Sequence, residues 1–203
     1  MKLFWSGQSP FARKVTIAIH ELGLQDRVEY VPANVVTGQN IEWLLRHNPL
    51  RKIPTLITDK GLAIYDSVVI IEYLDSLAVR PLSLFKQGEE RWRDLSRQAL
   101  GDGMLDILLL WRAEFRRPPE ARQENITDVY ATRIRSALDT LERAVPESSP
   151  AAVGPGDIAI GCALSYLDFR HDIDWRADRP ELRRWYDELS QRPSFRATEF
   201  ADR

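Results

Sequence analysis

The apolar pattern of the chain changes once, near Pro81, and that single change limits the folds open to it. Before it, short apolar runs stopped by Gly, Pro or Asp alternate with helical stretches; after it, only helical spacing remains. Leu3-Phe4-Trp5 reads as a buried strand closed by Ser6-Gly7-Gln8-Ser9-Pro10. Pro10 suits a first helical position, and Phe11, Val15, Ala18, Ile19 and Leu22 recur at helical spacing until Gly23. Val28-Glu29-Tyr30-Val31 then alternates like a second strand. A strand, a helix and a strand in that order predict a parallel pair with a crossover helix.

Ile41, Leu44 and Leu45 make a weak helical stripe that Asn48-Pro49 ends, because a residue before proline is pushed out of helical geometry. Thr55-Leu56-Ile57-Thr58 and Leu62-Ala63-Ile64-Tyr65 flank Asp59-Lys60-Gly61 and predict a hairpin. A further helix is expected over 67–77. Beyond Pro81, Leu95, Leu100, Leu105, Leu108, Leu109 and Trp111 mark a long helix that ends within 112–122, where Pro118-Pro119 stand. The next helix is expected from about Ile126 to Val145, followed by a loop at 146–150. Gly154, Pro155 and Asp157 read as an N-cap, first helical residue and first-turn acid, with Val153 and Ile158 placed for a hydrophobic staple. Leu182, Trp185, Tyr186 and Leu189 form one face of a late helix ended by Arg192-Pro193. The expected fold class is α/β plus all-α: a βαβ-ββα domain over 1–78, a linker over 79–85 and an all-helical domain over 86–203.

At 44% hydrophobic and 29% charged residues, 203 residues suffice for packed cores. A formal net charge of -2 gives no broad attraction to nucleic acid or to anionic lipid. The one cysteine, Cys162, cannot close an internal disulfide and sits in an apolar setting, which predicts a reducing compartment. The first residues hold no secretory apolar region and no stretch reaches membrane-spanning length, so a cytoplasmic location is expected. His20, His47 and His171 lack metal-ligand spacing, so no metal is expected. Gly101-Asp102-Gly103 is too short for a dinucleotide loop, and no nucleophile elbow is present.

The order βαβ, ββα and then helices resembles the glutathione S-transferase family over nearly the whole chain, and five local motifs agree. Ser9-Pro10-Phe11-Ala12-Arg13-Lys14-Val15 stands where that family has a Ser, Tyr or Cys opening the first helix, and it resembles the serine-type bacterial members. Asn48-Pro49-Leu50-Arg51-Lys52-Ile53-Pro54-Thr55-Leu56 is similar to the family's N-P-x-x-K-V-P-x-L run, the most specific of the five. Asp66-Ser67 followed by Ile70, Tyr73 and Leu74 resembles its acidic-Ser pair at a helix start. Gly156-Asp157-Ile158 and Arg192-Pro193-Ser194-Phe195 resemble its helical-core and C-terminal signatures. Ser9 and Ala12 occupy the places of the two cysteines of thioredoxin-like relatives, and Gly154 replaces the usual Ser or Thr cap.

The resemblance implies a thioredoxin-like domain that binds glutathione as co-substrate, a helical second domain and a homodimer. The thiolate, not the thiol, is the nucleophile, so the resemblance makes Ser9, rather than its neighbour Ser6, the hydrogen-bond donor to sulfur. By itself Ser9 before Pro10 is a plain helix cap. Ile53-Pro54 is the expected cis peptide, with the Ile53 main chain placed to pair with the cysteinyl backbone. Lys52 meets a glutathione carboxylate; Asp66 takes the γ-glutamyl ammonium, and Ser67 the neighbouring carboxylate. Arg13 either lines the thiol site or faces solvent. A small hydrophobic electrophile is expected near Met104, Leu108, Trp111 and Phe115, a stripe that is otherwise read as core. The implied activity is conjugation of the thiolate to electrophiles in detoxification. The alternatives are a non-catalytic binding or regulatory member, or a glutathione-dependent dehalogenase, isomerase or peroxidase.

Overall fold

The computed structural model describes residues 1–33, 41–79, 83–145, 153–171 and 173–200, and the side chain of Ile41 lies outside that set. The expected loop at 146–150 and residues 80–82 of the expected linker also lie outside the described residues. By contact the chain divides into two units, Met1–Gln87 with Pro193–Arg203, and Gly88–Arg192.

The first unit is a mixed sheet with helices. Strands β1 (Lys2–Trp5), β2 (Glu29–Pro32), β3 (Thr55–Ile57) and β4 (Ala63–Ile64) lie in the order β2-β1-β3-β4. Helix α1 (Pro10–Glu21) carries the chain from β1 to its parallel neighbour β2, where Leu3 faces Tyr30 and Phe4 faces Val31. Strand β3 then runs antiparallel to β1, and β4 antiparallel to β3. Successive side chains of a strand point to opposite faces, and Leu3 and Phe4 are both fully buried, so β1 is covered on both sides. Phe4 packs with Leu44 of α2 (Ile41–His47), whereas Leu45 of the same expected stripe is 40% exposed. The β3–β4 turn closes as expected at Gly61, which adopts φ 82° and donates its N–H to the Thr58 carbonyl. Its strands are shorter than the apolar runs, because Thr58 and Leu62 are spent closing the turn. Helix α3 (Ser67–Ser76) packs on α1 and buries Ile70, Ile71 and Leu74.

The second unit contains α4 (Glu89–Phe115), α5 (Glu124–Ala144), α6 (Pro155–Arg170) and α7 (Pro180–Ser190). Helix α6 is buried from Pro155 to Leu167, which explains why its apolar residues show no single face. Its crossing with α4 is close at Gly101, where an added Cβ would lie 2.6 Å from the Ala159 carbonyl carbon. The departure at Gly154 has a steric reason, since a Cβ there would run into the Asp94 carboxylate. Gly154 has no side chain to cap the first turn, and what remains of the capping box is Asp157, whose Oδ2 accepts the Gly154 N–H at 3.0 Å while Oδ1 accepts Arg97 Nη2 at 2.7 Å.

Arg192-Pro193 does end the late helix, but Pro193 also opens a further short helix, α8 (Pro193–Arg196). That turn packs on α1 within the first unit, and Ser194 Oγ donates to the Glu21 carboxylate.

Candidate functional site

The loop from β1 to α1 is built on serines. Ser6 Oγ accepts the Gln8 N–H, and the Ser9 N–H donates to the Ser6 carbonyl at 3.1 Å. Ser9 then caps α1, its Oγ accepting the Ala12 N–H at 3.2 Å. A hydroxyl has one hydrogen to give and two lone pairs; capping spends one lone pair and leaves the hydrogen. Ser9 is half-buried and therefore accessible. No acidic residue stands in the first turn of α1, so the positive end of that helix is not neutralised by its own sequence.

The segment before β3 is held by Asn48, which is 1% exposed. Its Nδ2 donates to the Lys52 carbonyl at 3.1 Å and to Thr55 Oγ1 at 3.0 Å, while its Oδ1 accepts the Leu50 N–H at 3.0 Å. Thr55 Oγ1 donates in turn to the Lys52 carbonyl at 2.9 Å. The expected cis peptide at Ile53–Pro54 is present. Lys52 is exposed, and among the described residues no hydrogen bond uses the Ile53 N–H or C=O. An open main-chain edge of this kind is what an added peptide strand pairs with.

The third segment is the start of α3. Asp66 follows a second cis peptide, Tyr65–Asp66, and caps the helix through Oδ1, which accepts the Val68 N–H at 3.1 Å. Asp66 is exposed and Ser67 is buried, with Lys14 Nζ donating to Ser67 Oγ at 3.2 Å. The first turn of α3 also lacks an acidic residue. Ser9, Lys52, Ile53, Pro54, Asp66 and Ser67 thus all belong to the first unit, at the start of α1, just ahead of β3 and at the start of α3.

Arg13 does not face solvent. It is 6% exposed, donates from Nη2 to the Phe195 carbonyl at 3.2 Å, and lies 4.8 Å from the Phe200 ring centroid. Its guanidinium helps line a cavity of about 530 Å³ with Trp5, Gln8, Thr16 and Tyr30. Burial holds the Tyr30 phenol above its ordinary pKa, so its hydroxyl stays a neutral donor there.

Met104, Leu108, Trp111 and Phe115 lie on α4 in the second unit. Met104 and Leu108 are buried at 1% and 0% exposure, Trp111 at 7%, and Phe115 is 46% exposed. Trp111 stacks on Phe115 with ring centroids 5.8 Å apart and meets His171 at 5.2 Å. His171 Nε2 contacts the Leu108 carbonyl at 3.2 Å; a carbonyl only accepts, so Nε2 carries the hydrogen. Burial, above all, holds the His171 pKa below its ordinary value; the Arg112 charge adds to this and the Leu108 contact opposes it.

Sequence reasoning missed two supports of the site, Asn48 and Lys14. The first reads as a helix end and as the opening residue of a motif, with no side-chain role, and the second as an ordinary charged helix residue. Among the described residues no group of three or more His, Cys, Asp or Glu could hold a metal ion, and no helix is long and apolar enough to cross a membrane.

Comparison with known proteins adds independent findings. Residues 8–77 match the glutathione S-transferase N-terminal domain and residues 109–188 the C-terminal domain. The uncharacterized GST-like protein YibF of Escherichia coli (strain K12) is 34% identical over 203 residues, covering 98% of each chain. A glutathione transferase family member from Pseudomonas fluorescens Pf-5, solved with bound glutathione, shares 41% identity with a TM-score of 0.92, over 98% of each chain. A second structure of a family member from that organism, with bound S-(propanoic acid)-glutathione, has a TM-score of 0.88 at 41% identity, over 99% of this chain and all of that one.

Proposed function

The chain belongs to the glutathione S-transferase family, and on that premise we propose that it binds glutathione and transfers its thiolate to small electrophiles. The observation that carries the reading is Ser9: a half-buried hydroxyl whose hydrogen is unspent among the described residues, at the start of a helix whose first turn holds no acid. A thiol ordinarily ionises near pH ~8.5, and each unit of depression requires about 1.4 kcal/mol of preference for the anion. A hydroxyl donor to the sulfur and the positive end of α1 both act in that direction.

In this reading the Ile53 main chain pairs with the cysteinyl residue and Lys52 meets a carboxylate as a point charge. Asp66 takes the γ-glutamyl ammonium, and Ser67 with the free N–H groups of α3 takes the adjoining carboxylate. In this reading the glutathione domain is assigned to 1–78 and the helical domain to 86–203, except that the residues from Pro193 onward group by contact with the first unit. The electrophile side is assigned to the stripe Met104, Leu108, Trp111 and Phe115, with Phe115 the most accessible member, and Arg13 is assigned to the ligand-binding residues. The bound S-(propanoic acid)-glutathione of the Pseudomonas fluorescens relative supports an acceptor that becomes an acid-bearing thioether. Homodimer assembly and cytoplasmic residence belong to the same reading and are carried by family membership alone.

The test is Ser9→Ala on the full chain. Loss of a hydrogen bond to an anion, about 1.5–3 kcal/mol, lowers turnover of an electrophile panel by roughly 10- to 100-fold at neutral pH while retention on immobilised glutathione persists. Full turnover in that variant would falsify the role of Ser9. A dehalogenase, isomerase or peroxidase would use the same thiolate, and the panel separates these.

A further inference from the structure

Lys14 lies in the middle of α1 with 0% exposure, and its Nζ donates to Ser67 Oγ at 3.2 Å. Its ammonium also sits 5.7 Å from the Phe11 ring centroid, which restricts where the side chain can point. Placing an ammonium out of water is costly to a fold, by several kcal/mol unless other groups answer the charge. Here the charge ends directly behind the first residue of α3.

The donor inventory sets the direction of this contact. An ammonium has donors and no acceptor, so the Ser67 oxygen must accept. The Ser67 hydrogen is therefore left to donate elsewhere, and a hydroxyl that accepts from a cation is a stronger donor. The turn it faces has no acid of its own beyond the cap Asp66, whose Oδ1 is already engaged with the Val68 N–H.

Resting on the reading that a glutathione carboxylate is held at the Asp66-Ser67 turn, we propose that Lys14 is the positioning residue for that carboxylate. It fixes Ser67 as a donor and places a buried positive charge one hydroxyl behind the anion. The consequence is selectivity: a ligand that lacks the γ-glutamyl α-carboxylate gains nothing from Lys14.

The experiment measures, by calorimetry on the full chain, binding of glutathione and of 4-aminobutyryl-cysteinylglycine, which lacks only that carboxylate. Lys14→Met is expected to weaken glutathione by about 10- to 100-fold and to leave the analogue unchanged. Lys14→Gln, an uncharged donor, should fall between, and Lys14→Arg should recover part of the loss. Adding Lys14→Met to Ser67→Ala should cost less than Lys14→Met costs alone, because part of the lysine's effect runs through that hydroxyl. Thermal melts accompany each variant, and Lys14→Gln decides the matter if Lys14→Met does not fold. The proposal is overturned if the charge-removing variants hold glutathione as tightly as the wild type, if they lose the analogue in equal measure, or if the Lys14 and Ser67 losses add. A wild type that takes up neither ligand overturns the reading beneath it, and the proposal with it.

Discussion

Gly101 and Gly103 stand two residues apart on α4, and replacing each by alanine should move stability in opposite directions. Both exchanges gain helix propensity, about 0.8–1.0 kcal/mol for an interior position. At Gly103 nothing lies within 4 Å of the added Cβ, so the gain is realised and Tm should rise by roughly 2–4 °C. At Gly101 the same methyl would lie 2.6 Å from the Ala159 carbonyl carbon and 2.7 Å from the Ile160 nitrogen, closer than real Cβ atoms approach. Those are backbone atoms of a helix buried along most of its length, and they cannot swing aside as a side chain would. Overpacking of this kind costs about 1–3 kcal/mol, and the upper end applies because α4 and α6 must separate as bodies. The net expectation is a loss of about 2 kcal/mol and a fall in Tm of roughly 4–8 °C. Thermal denaturation of the two variants side by side, followed by circular dichroism, reads the difference. If Gly101→Ala raised Tm as much as Gly103→Ala, propensity alone would govern α4 and the argument from close approach would be wrong.

Asn48→Ala removes an amide that serves Lys52, Thr55 and Leu50, and should lower stability by about 2–4 kcal/mol at roughly one per hydrogen bond; urea denaturation measures it, with glutathione affinity falling in parallel. Asp157→Ala leaves Arg97 without its 2.7 Å partner and the Gly154 N–H without an acceptor, so a loss of about 3–5 kcal/mol is expected in the same assay. The His171 pKa is depressed in the fold, so the unfolded chain binds the proton first as pH drops; stability should decline as pH falls through about 6.5, and His171→Gln should flatten that part of a Tm-against-pH curve.

What the sequence made legible was local. Strand β1, helix α1 and the turn at Gly61 are punctuated by Gly and Pro and by apolar periods that act within a few residues, and they fall where expected. The run from Asn48 to Pro54 was recognisable as a motif, yet its working part, the amide of Asn48 bridging Lys52 and Thr55, depends on how the loop folds back. Lys14 and Arg13 were the least legible, because burial of a charged side chain is decided by partners distant in the chain. Ser67 is 53 residues from Lys14, and Phe195 is 182 residues from Arg13. Pro193 was readable as a stop; that it also starts a turn packed on α1 follows only from the tertiary structure.

The return of α8 to α1 bears on the order in which a ribosome can finish the molecule. Chains emerge from the N-terminus and tend to acquire structure as they do. The unit that carries Ser9 nevertheless draws its last turn from residues made after the whole of the helical unit. Until Phe195 has been synthesised, Arg13 lacks the carbonyl it donates to. The βαβ-ββα segment therefore completes its packing only after about a hundred further residues have been translated, and a chain cut short before Pro193 would lack, in its first-made part, the turn that packs on α1.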